Sequence, residues 1–345
     1  MSVTTQAFGT TKNGEAVTKY TITNAKNMSI SAIDFGACLV NVNVPDKNGN
    51  LADVVLGYDD VAGYEDNGVF FGAFIGRNGN RIGGAKFELG GQTYEVEKNE
   101  GENNLHGGTP GYHKVMYKAE TTDNSVTFSR VSPDLEQGFP GNLDIRMTYT
   151  LTDDNELKIT YETKTDKDTI CNLTNHSYFN LAGEGSGNIE GHEVCLKASG
   201  ITEVTDDLIP NGKIMDVTGT PMDFRTKKLT GQDIDKDFPA LKQGAGYDHN
   251  YCIDKETEGM EKIGEVIDPA SGRTMEMYTD LPGVQFYSGN YINGVKGKNG
   301  HVYGKRAGFC FETQFYPNCM NIPEFQNCVL KAGQSFTSTT IYKFI

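Results

Sequence analysis

Hydrophobic and polar residues alternate with a period of two along much of this chain. Leu143, Ile145, Met147, Tyr149 and Leu151 alternate with Asp144, Arg146, Thr148 and Thr150. After the turn TDDN, Leu157, Ile159 and Tyr161 alternate with Lys158, Thr160 and Glu162. Successive side chains of a strand point to opposite faces, so this pattern predicts a β-hairpin with one wet face. AKFELGGQTYEV, residues 85–96, predicts a second hairpin, with Gly90-Gly91 supplying the positive φ of a two-residue turn. VPDKNGNLADVV places a third turn at residues 46–50. The C-terminal SFTSTTIYKF is rich in Thr, Ile, Tyr and Phe, which favour strands. Helical signals are few, and YDDVAGYEDN near residue 60 predicts one short helix. No internal repeat stands out and no Pro/Ser linker divides the chain. The expectation is all-β: one large twisted antiparallel β-sandwich, a single domain over residues 1–345.

Charge narrows the partners. The formal net charge is −15, which repels nucleic acid and anionic membrane surfaces, so neither is expected as a partner. It also gives no reason to expect a highly phosphorylated substrate. The N-terminus has no basic stretch leading into an apolar one, so no secretory signal is read there. The aromatic-apolar run GVFFGAFIG, residues 68–76, is too short to span a bilayer. The 7 cysteines are odd in number and form no CxxC pair. Buried free thiols in a reducing, cytoplasmic compartment fit this better than disulfides or a zinc site.

Four stretches mix polar functional groups with aromatics more densely than turns require. They are GRNGNRI with Arg77 and Arg81, GENNLHGG with His106, NLTNHSYFNL with His176, and CFETQFYPN with Glu312. A carboxylate among apolar neighbours on a strand has a raised pKa unless paired, and such a group serves as a general base near neutral pH. Each residue also has a plain structural reading. Glu312 can point to solvent on an alternating strand, and Arg81 can make a surface ion pair. His106 can be a turn residue before Gly107-Gly108, and His176 a core histidine held by Asn175 or Asn180. YDHNY adds Asp248 and His249, and PGVQFYSGNY adds Gln285. Asp, Asn, Gln and Arg beside aromatic faces suit a sugar, whose hydroxyls need hydrogen bonds and whose C–H face needs cover. A zinc or iron site built from His106, His176 and His249 has little support, because no HxH or HxxxH spacing is present. A nucleophile elbow, a P-loop and a GxGxxG after a strand are all missing.

Taken together, the motifs resemble the aldose 1-epimerase (galactose mutarotase) family. The resemblance runs in order through GRNGNRIGGAKFELGGQTYEV, NNLHGG, EQGFPGNLDIRMTYTL, NLTNHSYFNLAG, GTPMDFR, GYDHNY, PGVQFYSGN, FETQFYPN and STTIYKF. It implies the family's supersandwich fold and the interconversion of α and β anomers of free aldoses such as galactose and glucose, with no cofactor and no metal. By position in the motifs, it implies Glu312 as general base and His176 as general acid. It implies His106, Arg81, Asp248 and Gln285 as sugar contacts, leaves Asn80 and Tyr178 open, and leaves a monomer or homodimer as the unit. Gly79 where alanine is common, and Tyr117 with no tryptophan anywhere in the chain, depart from the family pattern without touching these groups. The mechanism expected is ring opening: Glu312 takes the C1 hydroxyl proton while His176, charged or at least a donor, protonates O5. The rivals are a noncatalytic sugar-binding protein, a hexose-phosphate epimerase, and a glycosidase using Glu312 with Asp248.

Overall fold

The strand Leu143–Leu151 buries Leu143, Ile145, Met147, Tyr149 and Leu151 and exposes Asp144 and Arg146, as the alternation predicts. It pairs antiparallel with Glu156–Thr165, and that strand pairs with Ser335–Phe344, the C-terminal stretch read as a strand. In the computed structural model, which describes residues 2–345, these strands lie at the heart of a nine-stranded antiparallel sheet. The Gly90-Gly91 turn joins Lys86–Leu89 to Gln92–Glu95, both glycines at positive φ (61° and 79°). The turn at 46–50 joins Leu39–Pro45 to Leu51–Asp53. The short helix forms as Val61–Glu65, and Asp60 caps it by accepting from Gly63 N–H at 2.9 Å. A second short helix, Pro239–Gln243, carries a proline in its first turn and lacks the amphipathic length that would mark it in sequence.

Two five-stranded sheets complete the sandwich. One runs over the N-terminal segment from Ser2–Thr10 to Leu51–Asp53. The other orders Pro210–Asp216, Gly200–Val204, Asp248–Cys252, Gly283–Tyr287 and Cys310–Gln314. Its two strands Gly283–Tyr287 and Cys310–Gln314 are buried along their whole length. One face of these strands therefore packs on the core. Phe286 and Phe311 stack at 4.8 Å, and Tyr342 of the large sheet donates its hydroxyl to Phe311 O at 2.6 Å. That hydrogen bond crosses from sheet to sheet in a dry interior, where leaving the carbonyl unpaired costs about 1–3 kcal/mol. The other face of the same strands carries the polar residues taken up below. Among the described residues, no helix is long and apolar enough to cross a membrane. All 7 cysteines are free, and all but Cys195 are buried.

Candidate active site

Strand register assembles the site. Asp248 pairs with Tyr287 and Tyr287 with Cys310, while Asn250 pairs with Gln285 and Gln285 with Glu312. Because strand side chains alternate, Asp248, Gln285 and Glu312 leave the same face of three neighbouring strands. Gln285 Nε2 donates to Asp248 Oδ1 at 2.7 Å, which fixes the carboxylate. Glu312 is 2% exposed, so it does not point to solvent, and its Oε2 has no hydrogen-bond partner.

A short strand, Thr174–His176, pairs with Ala73–Ile75 and brings His176 over this face. His176 Nε2 stands 3.6 Å from Glu312 Oε1. The flanking amides bond to neighbouring segments and do not hold the His176 ring. Asn175 Nδ2 donates to Gly72 O and Tyr149 Oη, and Asn180 Nδ2 to Gly187 O and Ala307 O. His106 arrives on a turn, at φ 54°, with its ring edge-on to His176 at 5.3 Å. Asn80 N–H donates to His106 Nδ1 at 3.2 Å. Nδ1 is therefore the acceptor, and the proton of the neutral ring sits on Nε2. Arg81 is clamped by Glu100 through Nε (2.6 Å) and Nη2 (2.7 Å). This planar pairing leaves Nη1 for a ligand.

These groups line one cavity of about 190 Å³, together with Phe70, Asn80, Tyr178, Tyr287 and Tyr291. All six sequence-predicted residues, Arg81, His106, His176, Asp248, Gln285 and Glu312, lie on its wall. The volume is below the roughly 300–1,000 Å³ of drug-sized sites and suits a single small polar ring.

The family model described as Aldose 1-epimerase matches residues 18–343. The chain belongs to the aldose 1-epimerase family. Galactose mutarotase from Mus musculus is 41% identical over 345 residues, covering 100% of this chain and 99% of its own. Aldose 1-epimerase from Escherichia coli K12 is 34% identical over 338 residues, 96% of each chain. The solved GalM/aldose epimerase homologue from C. elegans superposes with a TM-score of 0.86 at 29% identity, over 94% of this chain and 98% of its own. Galactose 1-epimerase from Lactobacillus acidophilus NCFM superposes at 0.87 over 100% and 99%, and at 24% identity it speaks for the fold alone.

Within this aldose 1-epimerase family member, burial dominates the titration of the site. It pushes Glu312 well above the usual carboxylate range; the Asp248 charge adds to that and the Arg81 guanidinium opposes it. It pushes His176 down to about 4. Burial likewise lowers His106, with His176 and Arg81 adding to the effect, and raises Asp248 against the pull of Arg81 and Gln285. A dry cavity disfavours each isolated charge, and the 3.6 Å separation places Glu312 and His176 close enough for the proton state of one to weigh on the other.

His106, His176 and Glu312 present ligand atoms within 4.8 Å of one another, close enough to raise a metal again. A metal-bound histidine donates its other ring N–H outward. Here a backbone N–H already points at His106 Nδ1, so the ring is set as a donor toward the cavity and not as a ligand. His249 lies elsewhere, beside Ile201, Met215 and Phe238, with Nε2 unpartnered. Arg77 departs from the candidate set altogether. It is fully buried and donates to Pro140 O, Gly141 O, Ser132 Oγ and Thr169 Oγ1. Sequence reasoning missed Phe70, Tyr287, Tyr291 and Glu100. Tyr287 and Tyr291 sit in the stretch quoted for Gln285, and Phe70 in the run weighed only as a membrane span. Glu100 carried no signal, because its partner Arg81 is 19 residues away.

Proposed function

We propose that this cavity opens and recloses the ring of a free aldose, interconverting its α and β anomers. The substrate is a small-molecule sugar, with galactose and glucose the first to try. The observation that carries the reading is a buried carboxylate and imidazole 3.6 Å apart on the wall of a sugar-sized polar cavity. Glu312 as carboxylate takes the proton of the C1 hydroxyl. His176 gives its Nε2 proton to the ring oxygen O5. The C1–O5 bond breaks as C1=O1 forms. Rotation about C1–C2 presents the other carbonyl face, and the same transfers run backward to close the ring. His106 donates from Nε2 near the reacting end, and Arg81 Nη1, Asp248 and Gln285 hold hydroxyls.

Ring opening converts a charged pair, carboxylate and imidazolium, into a neutral one. Burial raises Glu312 and lowers His176, so the neutral pair is the state a dry cavity prefers. The bond-breaking step therefore runs with the site's own electrostatics, and the attraction of the charged pair keeps the starting state within reach.

Among the groups lining the cavity, Glu100, Asp248 and Glu312 stand against one guanidinium, itself already paired. A phosphate dianion would meet net negative charge, which weighs against a phosphorylated hexose. We read the chain as one domain over residues 1–345, acting as a monomer or homodimer in the cytoplasm. Its 7 free thiols support that compartment, and its net charge of −15 is the reason to exclude nucleic acid and membranes as partners.

Polarimetry of freshly dissolved α-D-galactose tests the function. The expected result is protein-dependent acceleration to the same final rotation. Binding of galactose and glucose with no acceleration of either would leave a noncatalytic sugar binder.

A further inference from the structure

His176 has two ring nitrogens, and ring opening as derived above uses only Nε2. Nδ1 lies 3.5 Å from Cys310 Sγ. Cys310 and Glu312 are alternate residues of the strand Cys310–Gln314, so their side chains leave the same face. One strand thus offers a carboxylate to Nε2, at 3.6 Å, and a thiol to Nδ1 of the same ring. Cys310 is 0% exposed, and His176 is its only side-chain hydrogen-bond partner among the described residues. Burial, with the Glu312 and Asp248 charges, pushes this thiol well up, so it stays protonated at neutral pH.

The cycle requires Nε2 to give a proton on opening and take one back on closure. Nδ1 must therefore keep its own proton throughout, and whatever faces Nδ1 must accept it. We propose that Cys310 is a positioning residue whose sulfur accepts Nδ1–H of His176, holding the ring in the tautomer that leaves Nε2 free to shuttle the reacting proton. A thiol sulfur is a weak acceptor. It orients the ring without stabilising the imidazolium as a carboxylate in that place would, so His176 stays a strong acid. His106 is the contrast within one cavity: a backbone N–H faces its Nδ1 and sets the opposite tautomer, a fixed donor. The alternative geometry, S–H donating to Nδ1, would place the neutral ring's proton on Nε2 and leave closure without a base there.

The inference rests on the mutarotase reading, and the test separates the two. Polarimetry of the unmodified protein decides the reading itself. The inference is decided by ¹⁵N chemical shifts of the His176 ring, which report the tautomer whether or not sugar turns over, and by two variants. Cys310→Ser keeps an acceptor in nearly the same place; Cys310→Ala removes it. The expected result is an Nδ1–H neutral ring in the unmodified protein. Cys310→Ala should lose kcat by about tenfold at unchanged KM, and Cys310→Ser should recover most of that loss. Serine is the stronger acceptor, so its acid limb in kcat/KM should move to higher pH. An Nε2–H tautomer in the unmodified protein would overturn the proposal. So would full kcat in Cys310→Ala, or a Cys310→Ser variant that folds and is as slow as the alanine one.

Discussion

Arg77 and Arg81 stand in one seven-residue motif, GRNGNRI, and do unrelated work. Arg77 is fully buried and spreads its guanidinium over main-chain carbonyls, Pro140 O and Gly141 O among them, and hydroxyls that include Ser132 Oγ and Thr169 Oγ1, tying the segments 132–141 and 169 to its own strand end. Ser132, one of those partners, passes its own hydroxyl proton toward Glu136. Arg81 faces the cavity and is gripped from one side only, by Glu100. The residue type is the same; the partners decide the role. Neutral acceptors on every side make a structural strap. A single carboxylate on one side leaves a charged donor facing a ligand.

That contrast predicts that function and stability separate cleanly between the two regions. The largest effect belongs to the cavity. Glu312→Gln keeps shape and volume but cannot take a proton, so kcat should fall by about 10²–10⁴-fold. Its melting temperature should not drop, because glutamine keeps the volume of a side chain whose carboxylate form burial disfavours and whose Oε2 has no hydrogen-bond partner to lose. Retained turnover by polarimetry would end the assignment of Glu312 as base.

On the other side, Arg77→Met strips the donors from Pro140 O, Gly141 O and Ser132 Oγ in a dry interior. At about 1–3 kcal/mol for each orphaned group, the loss should reach roughly 3 kcal/mol or more in urea unfolding. Activity per folded molecule should be unchanged. A normal midpoint would show that water replaces the guanidinium and that the strap is dispensable.

Arg81→Met should do the reverse and more mildly. Losing a charged donor to the sugar should raise KM by about tenfold, while losing the partly buried pair with Glu100, whose side chains are 11% and 36% exposed, should cost folding less than Arg77→Met does. A drop in kcat at constant KM would move Arg81 from holding substrate to stabilising the transition state.

The subtlest test is the pH profile of kcat/KM. Catalysis needs one proton shared by Glu312 and His176. Below about pH 4 His176 is protonated while Glu312 is already neutral, so no base remains and the rate falls. Above the raised pKa of Glu312 the shared proton is lost, so no acid remains and the rate falls again. The curve should be a bell with its acid limb near 4 and its alkaline limb above the ordinary carboxylate range. Arg81→Met removes the cation that lowers Glu312, so its alkaline limb should move up. An unmoved limb would mean that Arg81 does not reach Glu312 electrostatically.

Much of the fold was legible because it depends on period two and turn chemistry. Tyr149 and Ile145 are buried and Asp144 exposed for the reason alternation supplies. Gly90-Gly91 turns a hairpin because both positions need positive φ. The helix Pro239–Gln243 was not legible, since one turn carries no periodicity. The site was legible as residue types in family motifs, with Glu312, His176, His106, Arg81, Asp248 and Gln285 all on one wall. Charge alone left Arg77 equivalent to Arg81; position in the motif singled out Arg81 as a sugar contact, but nothing in the sequence marked Arg77 as a buried strap. Phe70 passed as one aromatic in an apolar run, and only the packing shows its ring against His106, His113 and His176.

By itself, the sequence determined which residues face together along each strand, where the chain turns, and which chemical groups were available to a sugar. Those are properties of neighbours in the chain, governed by strand geometry, backbone sterics and side-chain type. Only the tertiary structure decided that Glu312 meets His176, that Glu100 meets Arg81, and that Cys310 stands at the far nitrogen of the same imidazole. Glu312 and His176 are 136 residues apart, and their distance follows from register between strands brought together by burial of a shared core. No local pattern encodes that register. The proton states of the pair follow from it in turn, because desolvation acts only once the sheets have closed over the site.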